Sequence, residues 1–407
     1  MRLPLWAVAA GVSACLALGT NPAHSAPSDS TSTGATPAPA AASSFTTPPP
    51  ASTPPDFPRG RISGLVFADL YYNVDGSPLH SYNNSGGDTG KSLIDGVSPI
   101  TRDLNSIYLR RFYFQLDNDL SVRFSTRFRL EMDSKSLTAD GKITPFVKNA
   151  YLLAKSVIPR GDFYFGMINT PAFENPEAFW KYRSLEKTIA DFRGLSSASD
   201  LGLSLKGFVD PGHRFGYWAM IGNGTGQKPE TDRFKRFYLS LPMQFGDLRI
   251  EPYADYQPVR VNLLPKVPTD VDSLAVNQDQ AMYKIFAGYD LRRFAVGFEA
   301  VDRLSHRDGI PNVDQRGFSV WARTQLRGKL DFVGRFDNWN SDLNQPNRVD
   351  THLWILGVDW MPIPDIHIEP NVEMVNYLKV GNPAAVPADN DIQARITFFY
   401  NFSRPQS

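Results

Sequence analysis

Charged residues recur at nearly every second position in the segment SVRFSTRFRLEMD, residues 121–133. A guanidinium keeps its charge in almost any environment and binds a carboxylate or a phosphate through two parallel hydrogen bonds. The arginines at such alternating positions are Arg123, Arg127, Arg129, Arg323 and Arg335. The acidic residues expected to pair with them are Glu131, Asp133, Glu299 and Asp337. This chemistry predicts either anion binding or a ladder of salt bridges that stiffens a wall, and both interpretations fit the residues.

The residues between these charges are apolar, and their spacing identifies the element that carries them. Val122, Phe124, Phe128, Leu130 and Met132 fall on the opposite face of a strand. Two structures fit this pattern, an antiparallel sheet on a soluble core or a closed barrel with lipid outside. The polar face is rich in arginine opposed by aspartate and glutamate, whereas a soluble sandwich would carry lysine, threonine and serine there. The pattern therefore favours a barrel with a polar lumen.

Strand-length segments continue along the chain from residue 61 onward. About sixteen of them are separated by Gly, Pro, Asp and Asn clusters. Short connections such as 117–120 and 327–329 alternate with long ones such as 73–103 and 169–198, which is typical of an outer-membrane barrel. The predicted fold is all-β: a transmembrane antiparallel β-barrel of about 16 strands with a long third loop folded into the pore.

The N-terminal residues predict an exported protein. A basic start, an apolar stretch and small residues predict a signal peptide over residues 1–25. Residues 26–58 are rich in Pro, Ala, Ser and Thr and predict a disordered linker, after which residues 59–407 form the barrel. The single cysteine, Cys15, lies in the signal segment. The alternative is that Cys15 is lipidated, because residues 12–15 resemble a lipobox.

Composition and motifs exclude several classes of function. The chain has 42 basic and 42 acidic residues and a formal net charge of zero, which gives no basis for binding nucleic acid. Beyond the signal segment no apolar run reaches the roughly 18 residues of a membrane-spanning helix, so any span must consist of strands. No motif predicts a cofactor or an enzyme. Asp365, His367 and Glu369 share a face beside a turn, and a polar wall is the favoured interpretation over a metal site.

Residues 169–198 are the predicted constriction of the lumen. Pro171 and Pro176 end the preceding strand, and residues 177–187 have helical spacing. The charged residues predicted to line the pore there are Lys181, Arg183, Glu186, Lys187 and Arg193. Mixed signs at a narrow point predict a transverse electric field. The alternative is that these charges solvate a surface loop.

Four segments resemble the phosphate-selective porin O/P family of outer-membrane channels. They are LRRF (109–112), KNAYL (148–152), GMINTPAFENPEAFWKYRSLEK (166–187) and LGLSLKGFVDPGHRFGYWAMIGNG (201–224). The resemblance covers roughly residues 61–402 and implies a sixteen-stranded barrel, usually trimeric, that passes small anions. Phosphate selectivity does not carry over, because no continuous series of arginines aligns. Arg110 and Arg111 cannot both face the lumen of a regular strand, which predicts a bulge or an interface position for one of them.

Together these features predict a porin of the bacterial outer membrane that allows passive diffusion of small hydrophilic solutes. Anions are the preferred solutes, with phosphate-like and carboxylate solutes included, and no cofactor takes part. The partners expected are outer-membrane lipid, the solutes and two further copies of the chain in a homotrimer. The alternative is a plugged outer-membrane barrel with a hydrolase or wall-anchoring role.

Overall fold

The computed structural model describes residues 56–76, 102–262 and 275–405, apart from residues 134, 135, 137, 231, 310 and 383–389. The predicted signal peptide, Cys15 and almost all of the predicted linker lie outside the described residues. No helix in the described ranges is long and apolar enough to cross a membrane.

The strands form a closed antiparallel barrel. The first ten are β1 (Arg59–Asp75), β2 (Asn105–Asp119), β3 (Phe124–Asp133), β4 (Phe146–Ile158), β5 (Gly161–Asn169), β6 (Ser199–Phe208), β7 (Gly216–Gly222), β8 (Arg236–Ser240), β9 (Met243–Phe245) and β10 (Leu248–Gln257). The others are β11 (Arg260–Asn262), β12 (Ala275–Asn277), β13 (Gln280–Asp290), β14 (Phe294–Ser305), β15 (Val313–Arg327), β16 (Leu330–Asn340), β17 (Arg348–Ile363), β18 (Ile366–Val380) and β19 (Asp391–Pro405).

Each wall strand pairs with its neighbours in sequence, and β1 pairs with β19 to close the ring. β8 and β9 both pair with β10 and occupy one wall position, because Leu241 and Pro242 interrupt the strand between them. β11 and β12 pair only with each other and form a separate two-stranded sheet that is not part of the wall. The wall therefore has sixteen positions, and the predicted antiparallel barrel of about 16 strands is confirmed.

The two faces of the wall follow the alternation in the sequence. In β3 Phe124 and Phe128 are exposed on the outside, whereas Glu131 is buried and Arg127 is partly buried on the inside. The final strand is arranged in the same way, with Phe398 and Tyr400 exposed and Arg395 buried. An apolar outer face and a charged interior are what a barrel in a lipid bilayer requires.

The two ends of the barrel differ in the length of their connections. The seven connections at the end called here the turn end are short: 120–123, 159–160, 209–215, 246–247, 291–293, 328–329 and 364–365. Arg61 at the start of β1 pairs with Pro405 at the end of β19, so the chain enters and leaves the wall at the turn end. The connections at the opposite end include the long segment between β5 and β6.

Residues 170–198, named here the inward segment, fold against the inner face of the wall. This segment contains helices α1 (Glu174–Trp180) and α2 (Ile189–Phe192). The Trp180 ring packs against Trp321 of β15 with ring centroids 5.8 Å apart, and both side chains are buried. Gly288 of β13 leaves the space that Phe179 occupies, since a Cβ atom there would lie 2.7 Å from the Phe179 ring. The inward segment is thus packed as part of the core.

Candidate functional site

Three buried arginines of the wall hold the inward segment by its main chain. Arg110 donates a hydrogen bond to the carbonyl oxygen of Leu185 at 2.7 Å, and Arg395 donates to the same oxygen at 3.2 Å. Arg335 donates to the carbonyl oxygen of Lys187. These carbonyl groups lie between the two helices and lack helical partners, so the guanidinium groups satisfy them. The arginines thereby fix the position of the inward segment across the lumen.

A β-bulge brings two adjacent arginines to the inside of β2. Phe67 of β1 pairs with Arg111, and the next residue of β1, Ala68, pairs with Leu109, so Arg110 is the extra residue. Both Arg110 and Arg111 are consequently buried in the interior. Of the two predicted alternatives, a bulge or an interface position, the structure has the bulge. Arg111 forms a salt bridge with Glu131 of β3, while Arg110 holds the inward segment.

The inward segment presents a compact group of charges toward the wall formed by β2, β3 and β4. The Arg183 guanidinium bridges Glu177, at 2.9 Å from Nε to Oε2, and Asp191, at 3.2 Å from Nη2 to Oδ2. Lys187 lies 4.0 Å from Asp191. Burial and the charge of nearby Asp191 raise the pKa of Glu177 to about 8 against the opposing effect of Arg183. Burial alone would raise the pKa of Asp191, but the charges of Lys187 and Arg183 hold it well below its usual range.

The facing wall carries a second group of cations. The Nζ atom of Lys148 lies 3.0 Å from Oε2 of Glu131, which also pairs with Arg111. Nearer the turn end, Arg127 Nε lies 2.6 Å from Oδ1 of Asp117. The charge of wall residue Lys148 contributes to the lowered pKa of Asp191, so the two groups lie within electrostatic range.

Arg129 differs from the other cations of this wall. Its Nε donates to the side-chain oxygen of Gln115 at 2.6 Å, and its guanidinium lies 5.3 Å from the centre of the Tyr113 ring. Among the described residues Arg129 forms no ion pair. A guanidinium held by an amide and an aromatic ring keeps its orientation while its charge stays uncompensated.

These two facing groups define a region named here the charged gap. Its cations are Arg111, Arg127, Arg129, Lys148, Arg183 and Lys187, and its acidic residues are Asp117, Glu131, Glu177 and Asp191. The charged gap therefore contains six cations and four acidic groups, with both signs on each side. The raised pKa of Glu177 favours its neutral form, because burial and the charge of nearby Asp191 both oppose its ionisation.

Open space lies next to the charged gap along the inner wall. One cavity of about 390 Å³ reaches the turn end and is lined by residues that include Arg61, Asp117 and Lys155. A second cavity of about 220 Å³ is lined by residues that include Glu174 and Lys206, which form a salt bridge of 2.8 Å. Both cavities border Arg127. Charged side chains therefore form part of the lining of both cavities.

The predicted constriction residues occupy three different environments. Arg183 and Lys187 lie together in the charged gap. Lys181 is exposed on another side of the inward segment. Glu186 and Arg193 are 1% and 0% exposed, so they are buried between the inward segment and the wall. The prediction that these two residues line open space is wrong, because the segment packs them onto β16 to β18 instead of projecting them.

The residues predicted to line the lumen wall also lie in different environments. Arg127, Arg129 and Glu131 lie on the inner face of β3 beside the charged gap. Arg123 is exposed in the turn before β3, so its assignment to the lumen wall is wrong. Arg323 pairs with Asp290 at 2.8 Å on the opposite wall. Arg335 is buried, pairs with Asp337 and anchors the inward segment, so it does not face open space.

Two lysines of the site are not singled out by the sequence pattern. Lys148 is the extra residue of a bulge, since Arg129 pairs with Asn149 and Leu130 with Val147. A bulge breaks the alternation that would otherwise mark inward positions. Lys206 follows the regular alternation of β6, which is the signal that could have identified it.

A closed barrel with a long segment packed inside is the fold of outer-membrane β-barrels. No family model matches the chain, so the phosphate-selective porin O/P family is not confirmed, and no curated protein matches it. The fold is similar to the solved structure of an anion-selective porin from Comamonas acidovorans, with 11% identity, a TM-score of 0.56 and coverage of 85% of this chain and 100% of the other.

Two further solved structures show the same likeness. For the outer membrane channel DcaP of Acinetobacter baumannii the identity is 14% and the TM-score 0.57, with 84% of this chain and 97% of the other covered. For the outer membrane protein OmpT of Vibrio cholerae the identity is 14% and the TM-score 0.54, with 86% and 100% covered. At these identities the comparisons establish the fold alone.

Proposed function

We propose that this protein is a porin of the bacterial outer membrane that allows passive diffusion of small hydrophilic solutes and prefers anions. The observation that carries the proposal is the charged gap, where six cations and four acidic groups lie between the inward segment and the wall. Transport of this kind requires no covalent step and no cofactor. It requires a water-filled path whose narrowest part sets the preference among ions.

The chemistry of the charged gap suits small oxyanions. Carboxylates and phosphates accept paired hydrogen bonds from guanidinium groups, and Arg129 offers an uncompensated one. Salt bridges hold the other arginines of the charged gap, so a solute would exchange with existing partners there. Weak, exchangeable contacts favour passage over retention. Small carboxylates and phosphate-like anions are therefore the proposed solutes.

The surroundings proposed for the barrel follow from its outer face. Exposed residues such as Phe124, Phe128 and Phe398 would contact outer-membrane lipid. We expect three copies of the chain to form a homotrimer, as in the family that the sequence resembles. Native mass spectrometry of the detergent-extracted protein tests this assembly, and a monomer mass would contradict it.

The porin function and the anion preference are both tested by measuring ion currents through the protein. The refolded mature chain, checked for its folded state by heat-dependent mobility on gels, is inserted in a planar bilayer under a gradient of potassium chloride. Stepwise currents with a reversal potential toward that of chloride are expected. Currents that reverse toward the potassium potential would contradict the anion preference. A folded barrel that carries no current would contradict the porin function and favour the plugged barrel with a hydrolase or wall-anchoring role.

A further inference from the structure

Two carboxylates and one imidazole converge on the inner wall near the turn end, outside the charged gap. They belong to Asp359 of β17 and to His367 and Glu369 of β18, and one ligand atom from each lies within 4.8 Å of the others. The pairing of Trp360 with Ile368 places Asp359 opposite Glu369 in the wall. Sequence spacing had grouped Asp365 with His367 and Glu369, but Asp365 lies in the turn and Asp359 takes its place.

One carboxylate oxygen of Glu369, Oε2, accepts no hydrogen bond from any residue that the structure describes. Its side chain is 1% exposed, and its Oε1 accepts a hydrogen bond from Ser184 of the inward segment at 2.9 Å. Its Oε2 atom is buried and has no hydrogen-bond partner within the part of the chain that the structure describes. A buried carboxylate oxygen without a partner is costly, and a cation bound to it removes the cost.

The distances allow a metal ion to replace the hydrogen-bonded ion pair of His367 and Asp359. His367 Nδ1 lies 2.9 Å from Oδ2 of Asp359. A metal ion at about 2.1 Å from each ligand atom places neighbouring ligand atoms roughly 3 to 3.5 Å apart. The histidine and aspartate atoms are thus close to the required separation, and a small rotation of the Glu369 side chain completes the set. The His367 side chain is 17% exposed, which gives an ion access from the lumen.

The ligand types select the class of metal. One imidazole nitrogen with two carboxylates suits zinc, manganese and related transition metals, whereas magnesium and calcium prefer oxygen ligands alone. We propose that Asp359, His367 and Glu369 form a binding site for one divalent transition-metal ion, of which zinc is the probe ion. Because Ser184 contacts Glu369, an ion bound there would lie next to the anchored part of the inward segment.

Isothermal titration calorimetry tests the proposal on the refolded, chelator-treated full chain with zinc chloride. Saturable binding of one zinc ion per chain is expected. His367→Gln and Glu369→Gln should each weaken the apparent affinity by more than about tenfold. The matched control is His306→Gln, because His306 also lies 2.9 Å from an aspartate, Asp308. That pair is exposed, and no third ligand lies beside it among the residues that the structure describes. This control should bind zinc as the original chain does.

Cobalt provides a spectroscopic readout of the same site. Cobalt bound to the original chain should give visible absorption bands that His367→Gln loses, and Asp359→Asn tests the ligand set if His367→Gln does not fold. The proposal is overturned if the original chain shows no saturable binding, if the His367 and Glu369 variants bind zinc equally well, or if His306→Gln alone abolishes binding. Zinc binding is measured without current, so it is decided separately from the porin function.

Discussion

Replacing Arg129 by glutamate is expected to reduce the anion preference more than any other single charge reversal on the β3 wall. Arg129 is held by Gln115 and lies over the Tyr113 ring, and it forms no ion pair among the described residues. Its charge therefore acts on a passing ion without local compensation. Arg127 is compensated by Asp117 at 2.6 Å, so its reversal to glutamate should have the same direction and a smaller effect.

The size of the effect follows from Coulomb's law. A unit charge about 7 Å from a passing ion contributes about 0.6 kcal/mol in water. Reversal changes the charge by two units and acts oppositely on anions and cations, which gives about 2.4 kcal/mol between them before screening. Salt at about 0.1 M reduces this to roughly half, so the anion-to-cation permeability ratio should fall about eightfold.

The assay is the reversal potential of single channels under a salt gradient, repeated at low and high ionic strength. Lys142→Glu is the control, because Lys142 is exposed in a connection between β3 and β4 and pairs with Asp140 outside the charged gap. It should change the permeability ratio little. An Arg129→Glu channel whose reversal potential equals that of Lys142→Glu would refute the assignment of the charged gap as the selective region.

Three further predictions concern the inward segment. Since Glu177 has a pKa raised to about 8, it ionises as the pH rises from about 7 to 9, and the added negative charge should lower the anion preference measured by reversal potential. Glu177→Gln should remove this dependence, and a pH-independent ratio in the original chain would contradict it. Arg110→Ala leaves the Asp69 carboxylate buried without its salt bridge of 3.0 Å, so the free energy of unfolding in urea should fall by about 3 to 5 kcal/mol. A change below about 1 kcal/mol would show that Arg110 does not anchor the segment. Trp180→Ala removes a buried ring that packs on Trp321. Single-channel conductance should therefore rise, and the free energy of unfolding should fall by about 3 to 5 kcal/mol. Unchanged conductance would place the open path elsewhere.

The fold was predictable because the two faces of a barrel wall impose an alternation of apolar and polar residues on the sequence of each strand. Each residue faces either lipid or lumen, so the period-two pattern over residues 121–133 and 199–208 marks strands without any information about distant contacts. The strands observed there, Phe124–Asp133 and Ser199–Phe208, differ from these ranges only at the first boundary. Closure then follows from pairing between neighbours in sequence.

The site was less predictable because it depends on contacts that sequence spacing does not encode. Bulges at Arg110 and Lys148 turn side chains inward at positions that the alternation assigns outward. Within the inward segment, Arg183 and Arg193 have similar sequence surroundings, yet one faces the charged gap and the other is buried against the wall. Only the docked position of the segment separates these two roles.

The anchoring arginines connect the inward segment to the order in which the barrel assembles. Arg110 comes from β2, Arg335 from β16 and Arg395 from β19, so the hydrogen bonds to the segment join the beginning and the end of the chain. Asp69 of β1 also receives a hydrogen bond from Thr397 of β19 at the seam where the ring closes. The segment therefore acquires its complete set of partners only after the last strand has paired with the first. A fixed position of the inward segment is consequently a property of the finished ring, and chains arrested before closure would hold the segment by only some of these hydrogen bonds.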